Sequence, residues 1–406
     1  MSGVEAAIKS LFDKLSADLP SLRDIELELL RNLWPVPRLG KYAAVTLYDD
    51  VCDVLGRDRD FPTDYNAKLD VITGGQPFFL GLPDGPAFHR DVSAMRQAMP
   101  PSDIPGILVP ATLAAAQRRV DAATGSLEIV GFVRDVTFES LCGYFGTPEP
   151  RTGDMKGWAQ TLFKFLFADM GNDPALRAQV DVAAPALQAH VDSLIAARKA
   201  DPGAGGDDVL SRALKLQAQG VPGLSDIQIR TALVGFIVAG LPQPAMAAPQ
   251  ALNQLLNRPK ELAAAQKAAR TGDNATLGAY FFEALRFDPL APFLMRRAGG
   301  DQVVGAGTGH QTTIPDGTLV FALIQSAMMD GRHVENPNTF NPKRPPSDYL
   351  SFGFGLHTCF AKAINEATIP LMLKPVLAKP GLRRAPGAAG QLVKSGPFAQ
   401  SLVVNF

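Results

Sequence analysis

Apolar residues recur every three to four positions through most of the first two thirds of the chain, the spacing that lines one face of an α-helix. The segments IPGILVPATLAAAQRRVDAA (104–123) and PALQAHVDSLIAARKA (185–200) both carry it. At the start, Val4, Ile8, Leu11, Phe12 and Leu15 share one helical face with charges between them. That pattern predicts an amphipathic packing helix, unlike a signal peptide or a membrane span. Strand-like pieces are few and short: GKYAAVTLYD early on, then GDQVV, TTIPDGTLVFALIQ and QSLVVNF towards the end. The chain reads as mainly α with small β-sheets.

Two stretches break the periodicity. In GFIVAGLPQPAMAAPQ (235–250) an apolar run passes Ala239 and Gly240, then meets Pro242 and Pro244. Each proline removes a backbone donor and clashes with the preceding turn, so the stretch is either the end of a helix or a helix interrupted within its length. In DGRHVENPNTFNPKRPPSDYL (330–350) four prolines and many turn formers leave no period at all. An irregular segment of that length inside a compact domain is more often functional than idle.

Composition narrows the class. Of 406 residues, 46% are hydrophobic and 19% charged, the balance of a globular protein with a large core. Neither a Gly/Ser linker nor a solenoid-spaced repeat interrupts it, which predicts a single domain over 1–406. The net charge of −1, from 39 basic and 40 acidic residues, advertises neither nucleic acid nor an anionic membrane surface as a partner. Three cysteines, Cys52, Cys142 and Cys359, cannot all pair and fit no zinc or redox spacing, so a reducing, cytoplasmic setting is expected. Cys52 and Cys142 sit among apolar residues and read as small buried side chains.

Cys359 differs. It lies in SFGFGLHTCFAKAINEA (351–367), directly after the irregular segment, where Gly353 and Gly355 permit tight backbone geometry and Phe352 and Phe354 supply apolar cover. His357 comes two residues earlier, and helix-forming residues follow at once. A thiol near a helix N-terminus is favoured as thiolate, the form that binds metal.

FGFGLHTCFA resembles the haem-binding signature of the cytochrome P-450 family, with Ala361 in a closing position usually held by Gly. Upstream, YFFEALRFDP places Glu283 and Arg286 three apart on one helical face, similar to the family's Glu-x-x-Arg pair. ENPNTFNPKRP resembles the meander before the haem loop, with Pro337, Phe340 and Arg344 in place. The resemblance implies the fold of that family: mainly α with small β-sheets, and haem b held between a distal central helix and a proximal Cys loop. Cys359 would be the axial ligand of the iron, and Glu283, Arg286 and Arg344 a buried structural network. His357 and Arg296 would meet the haem propionates, and Phe352 would cover the thiolate side of the ring. His89, in LPDGPAFHRDVSAMR, is similar to the family's early propionate-binding His, although one extra residue separates it from Pro86.

The same resemblance gives 235–250 an address, some 40 residues before Glu283, in the central helix over the haem. The family pattern there is Ala-Gly-x-Asp/Glu-Thr, whose acid and alcohol deliver protons to dioxygen. Here Ala239 and Gly240 are followed by Pro242 and Gln243 at those two positions. The implied function is haem-dependent oxidation of a lipophilic small molecule, of monooxygenase type, with ferredoxin and its reductase as possible partners. The missing pair favours, as an alternative, a peroxide: its electrons are already aboard, and the Ala-x-x-x-Gln pattern is similar to that of fatty-acid hydroperoxide isomerases in this family. Gln243 and Gly240 are then the candidate catalytic positions, with no redox partner required. A haem-binding sensor or carrier without turnover is the reading from another class. Beyond the ligand, Pro370 and Pro375 predict a helix that kinks or stops early, beside Lys362, Lys374 and Lys379.

Overall fold

The computed structural model describes residues 24–406, so the amphipathic pattern of residues 4–15 lies outside the described residues. Helices dominate and the sheets are small. The strand-like pieces in the sequence become Tyr42–Val45, Gln302–Val304, Thr312–Ile314, Leu319–Ala322, Phe398–Ser401 and Val403–Asn405. The chain divides into two compact units.

The first unit comprises residues up to Asp64, then Ala279–Lys362 and Ser395–Phe398. Its four-stranded sheet runs in the order Arg38–Leu39, Tyr42–Val45, Leu319–Ala322, Leu294–Arg297. The pairing of Tyr42–Val45 with Leu319–Ala322 is parallel and joins two distant parts of the sequence. Ala43, Val45, Val320 and Ala322 are wholly buried, in a core shared with Val51, Val54 and Leu55 of the helix Tyr48–Gly56. That helix is anchored at its start by Asp330, whose Oδ2 accepts from the Tyr48 backbone N–H at 3.1 Å.

The second unit comprises Tyr65–Gly278, Ala363–Lys394 and Ala399–Phe406, and is almost wholly helical. The helical spacing of 185–200 belongs to a longer helix, Pro174–Ala200, whose first turn Asp173 caps by accepting from Ala175 N–H at 2.9 Å. Pro185 sits inside it without ending it. The helix Lys362–Ala378 likewise runs on through Pro370 and Pro375 and does not stop early. Residues 369–373 and 375–377 are buried, and burial of that apolar surface offsets the rungs each proline removes.

The central helix, Asp226–Gly240, opens on a capping box: Ser225 Oγ accepts from Gln228 N–H, and Gln228 Oε1 accepts from Ser225 N–H at 3.1 Å. It then passes into Pro244–Leu256. The combined 31 residues are long and apolar enough to cross a membrane by length and composition, but 78% of the apolar window is buried within the protein, as in a core helix.

Candidate active site

Gly353 and Gly355 take φ of +74°, the left-handed region that favours glycine. Gly355 has a second constraint, since a Cβ there would lie 2.6 Å from the Leu55 carbonyl oxygen. The cysteine loop therefore rests directly on the end of the helix Tyr48–Gly56. Cys359 closes the loop by donating its backbone N–H to Phe352 O at 2.9 Å, and Phe352 packs on Phe282 with ring centroids 5.6 Å apart. The Cys359 residue is partly exposed. Cys142 is buried and its thiol is pushed up to about 12 by desolvation. Cys52 is half-buried and pushed up to about 11 by the same cause. Both stay thiols at neutral pH.

Behind the loop, Glu283 and Arg286 are wholly buried and doubly bonded, Nε to Oε2 at 3.0 Å and Nη2 to Oε1 at 2.8 Å. Arg344 Nε donates to Glu283 Oε1 at 3.2 Å and spends its Nη groups on the carbonyls of Glu335, Asn336 and Thr339. Two further donors reach the same carboxylate: Tyr349 Oη at 3.0 Å and the Asn341 backbone N–H at 2.8 Å. The irregular segment is thus folded around one buried carboxylate. Burial, and then the neighbouring Glu283 charge, push the Tyr349 hydroxyl well above its ordinary range, so it remains a donor.

Arg296 stands on the strand Leu294–Arg297 and is 2% exposed. It lies close enough to His357 for its charge to help lower that imidazole's pKa, after desolvation as the main cause. His357 Nε2 lies 2.7 Å from Asp58 Oδ1, with both side chains nearly buried. Asp58 carries no motif, and the sequence reading passed it over. His89 belongs to the second unit; its side chain is 64% exposed and meets Asp84 at 2.7 Å.

In the second unit, Pro242 and Pro244 cannot donate to the carbonyls of Val238 and Gly240. The backbone nevertheless stays right-handed helical, with Leu241 at φ −76°, ψ −41° and Gln243 at φ −61°, ψ −44°. The interruption is one of hydrogen bonding, not of direction. Residues 231–238 and 244–252 are buried, while Ala239, Gly240, Pro242 and Gln243 between them are partly exposed, so a window opens in the covered middle of the helix. The Gln243 side chain does not cap the helix that follows. One turn before Gly240, Phe236 packs with Phe78, Phe79 and Phe145 at centroid distances of 5.8–6.4 Å. Gly235 admits Phe78 to this cluster, since a Cβ there would fall 2.4 Å from its Cζ.

The family model described as cytochrome P450 matches residues 162–379, more than half of the chain. The chain belongs to the cytochrome P450 family. Haem b is the cofactor that membership implies. Among relatives, it is 33% identical over 129 residues to a bifunctional dioxygenase (DOX)-epoxy alcohol synthase (EAS) of Fusarium oxysporum, covering 31% of this chain and 10% of that protein. It is 27% identical over 242 residues to cytochrome P450 107B1 of Saccharopolyspora erythraea, covering 59% of this chain and 54% of that one. The chain thus matches about a tenth and about half of the lengths of these two proteins. The solved structure of P450BioI, in complex with an acyl carrier protein ligated to hexadec-9Z-enoic acid, superposes with a TM-score of 0.79 at 20% identity, over 94% of this chain and 96% of that one. At that identity the P450 fold is what the two share.

The side chains present suit haem. A partly exposed thiol on a tight loop offers a ligand, and a buried guanidinium, Arg296, and a nearly buried imidazole, His357, are donor types that suit anionic propionates. Bound there, the P450 haem supplies an oxygen-activating iron, which a thiolate ligand biases toward O–O cleavage.

Proposed function

We propose that this P450 takes its oxygen from a peroxide, with a lipid hydroperoxide as the preferred form, and oxidises a lipophilic substrate without an electron-transfer partner. The observation that carries the reading is the window at 239–243, where the accessible polar side chain is the carboxamide of Gln243 between two prolines. A carboxamide donates and accepts hydrogen bonds but does not relay a proton as a carboxyl does. It can hold and orient a peroxide whose electrons are already in place. In the isomerising form of the reaction the O–O bond of R–OOH breaks and the freed oxygen returns to the same molecule. Atoms and electrons then balance with no external reductant.

The family resemblance assigns Cys359 to the iron, His357 and Arg296 to the propionates, Phe352 to the cover of the ring, and Gln243 with Gly240 to the oxygen side. The phenylalanines around Phe236 suit a lipophilic chain. The Fusarium relative, a bifunctional dioxygenase (DOX)-epoxy alcohol synthase (EAS) by name, supports an oxygenation as the reaction class. We take 1–406 to act as one functional domain, and three cysteines that cannot all pair fit a reducing, cytoplasmic setting.

The test is incubation of the purified holoprotein with linoleate hydroperoxide, and separately with hydrogen peroxide and a fatty acid, in the absence of any reductant. Oxygenated products are expected from the first mixture and at a lower rate from the second. Product formation only when NADPH, ferredoxin and its reductase are supplied would overturn the peroxide reading in favour of dioxygen-driven monooxygenation.

A further inference from the structure

Asp58 is a nearly buried carboxylate held against the cysteine loop. Its side chain is 7% exposed, and it meets a partner 299 positions away in sequence. The placement is rigid. Asp58 follows the helix Tyr48–Gly56, and the preceding Arg57 fastens the turn from several sides: Nη1 donates to Val303 O at 2.9 Å, Nη2 to Gln302 Oε1 at 2.6 Å and Nε to Asp60 Oδ2 at 2.9 Å. The other half of the contact is equally fixed, because Gly355 seats the His357 loop against Leu55 and Gly56. Two stiff pieces of the first unit therefore bring one carboxylate to one imidazole, with the buried Arg296 guanidinium close enough to act on the same ring.

We infer that Asp58 is a positioning residue for the haem, holding His357 by Nε2 and setting a negative charge beside the imidazole assigned with Arg296 to the propionates. A carboxylate only accepts, so Nε2–H donates to it, and the ring cannot turn without losing a charge-assisted hydrogen bond. The charge also acts on the iron. A nearby anion stabilises the more positive oxidation state, so Asp58 favours ferric over ferrous haem through the second shell. Peroxide chemistry starts from ferric iron, so the two features act in the same direction. The inference rests on the assignment of His357 and Arg296 to the haem edge, and it is independent of which oxidant is used.

The experiment is a spectroelectrochemical titration of the holoprotein. Asp58→Asn, which keeps the shape and loses the charge, is expected to move the haem midpoint potential to more positive values, and Asp58→Glu to return it towards the wild type. The same comparison made between His357→Gln and the double variant Asp58→Asn/His357→Gln carries the test if the single variant does not fold, because two amides can still hydrogen-bond to each other. A positive shift in either background supports the role. An unchanged midpoint in both, with melting temperature alone affected, reduces Asp58 to a structural contact and overturns it. The ferrous carbon-monoxide spectrum of the wild type tests thiolate ligation separately, so failure there is distinguishable from failure of Asp58.

Discussion

Tyr349 and Glu283, one from the irregular segment and one from a helix, meet at 3.0 Å through a phenol hydroxyl and a carboxylate that also holds two arginines. This carboxylate gathers five donor contacts from four residues. Removing it leaves two guanidinium groups buried without their shared counter-charge. Glu283→Ala is expected to cost about 3–5 kcal/mol, the range for breaking a buried pair from one side. Urea unfolding of the apoprotein measures it, and an effect below about 1 kcal/mol would count against the network as the clamp of the segment.

Gln243→Ala tests the window directly. Loss of one hydrogen bond to a developing charge costs about 1.5–3 kcal/mol, so peroxide-driven turnover is expected to fall by about tenfold or more. Haem content and the ferrous carbon-monoxide spectrum should not change. Conversely, Pro242→Asp combined with Gln243→Thr is expected to raise NADPH-coupled turnover with a surrogate reductase and ferredoxin, by providing the missing acid and alcohol. Product yield per NADPH consumed is the measurement.

Gly235→Ala places a methyl group where Phe78 Cζ now lies 2.4 Å from the ideal Cβ position, so the ring must leave its seat on the central helix. Overpacking of this kind costs about 1–3 kcal/mol. The expected result is a lower melting temperature together with an altered spin-state response to fatty acids of different length. A wild-type binding profile in the variant would detach the phenylalanine cluster from substrate selection.

Asp50 supplies a prediction in pH. Burial raises its carboxyl above the ordinary carboxylate value of 3.8, and the His310 contact, Nε2 to Oδ2 at 2.8 Å, lowers it by less. The folded state therefore binds this proton more tightly than the unfolded state. Its contribution to stability is greatest below about pH 3.8 and is lost as pH rises through the folded value. Asp50→Asn keeps an acceptor for His310 and has no charge to bury. It is expected to be at least as stable as the wild type at pH 7, with the difference shrinking towards pH 4, as read from urea midpoints across that range.

What the sequence made legible was local. The cysteine loop, the Glu283 and Arg286 spacing, the short strands and the irregular segment are all patterns within a few residues of one another. The contacts that complete the site are long-range and leave no such trace: Asp58 against His357, Leu55 under Gly355, Tyr349 on Glu283. Proline did not end the helix after the cysteine. Pro370 and Pro375 both lie within a helix that continues, as Pro185 does in its own, because burial of the surrounding apolar face outweighs a missing rung. At Pro242 and Pro244 the same rule applies to direction, while the freed carbonyls of Val238 and Gly240 remain where the helix opens.

The seat of Gly355 on the Leu55 carbonyl also sets an order of assembly. The two residues lie near opposite ends of the chain, so the loop presenting Cys359 takes its shape only after the first helices and the last third of the sequence have met. Closing so distant a contact is slow relative to forming helices. Cofactor capture therefore belongs to the end of folding: a nascent chain on the ribosome has no place to hold haem until most of its length has emerged.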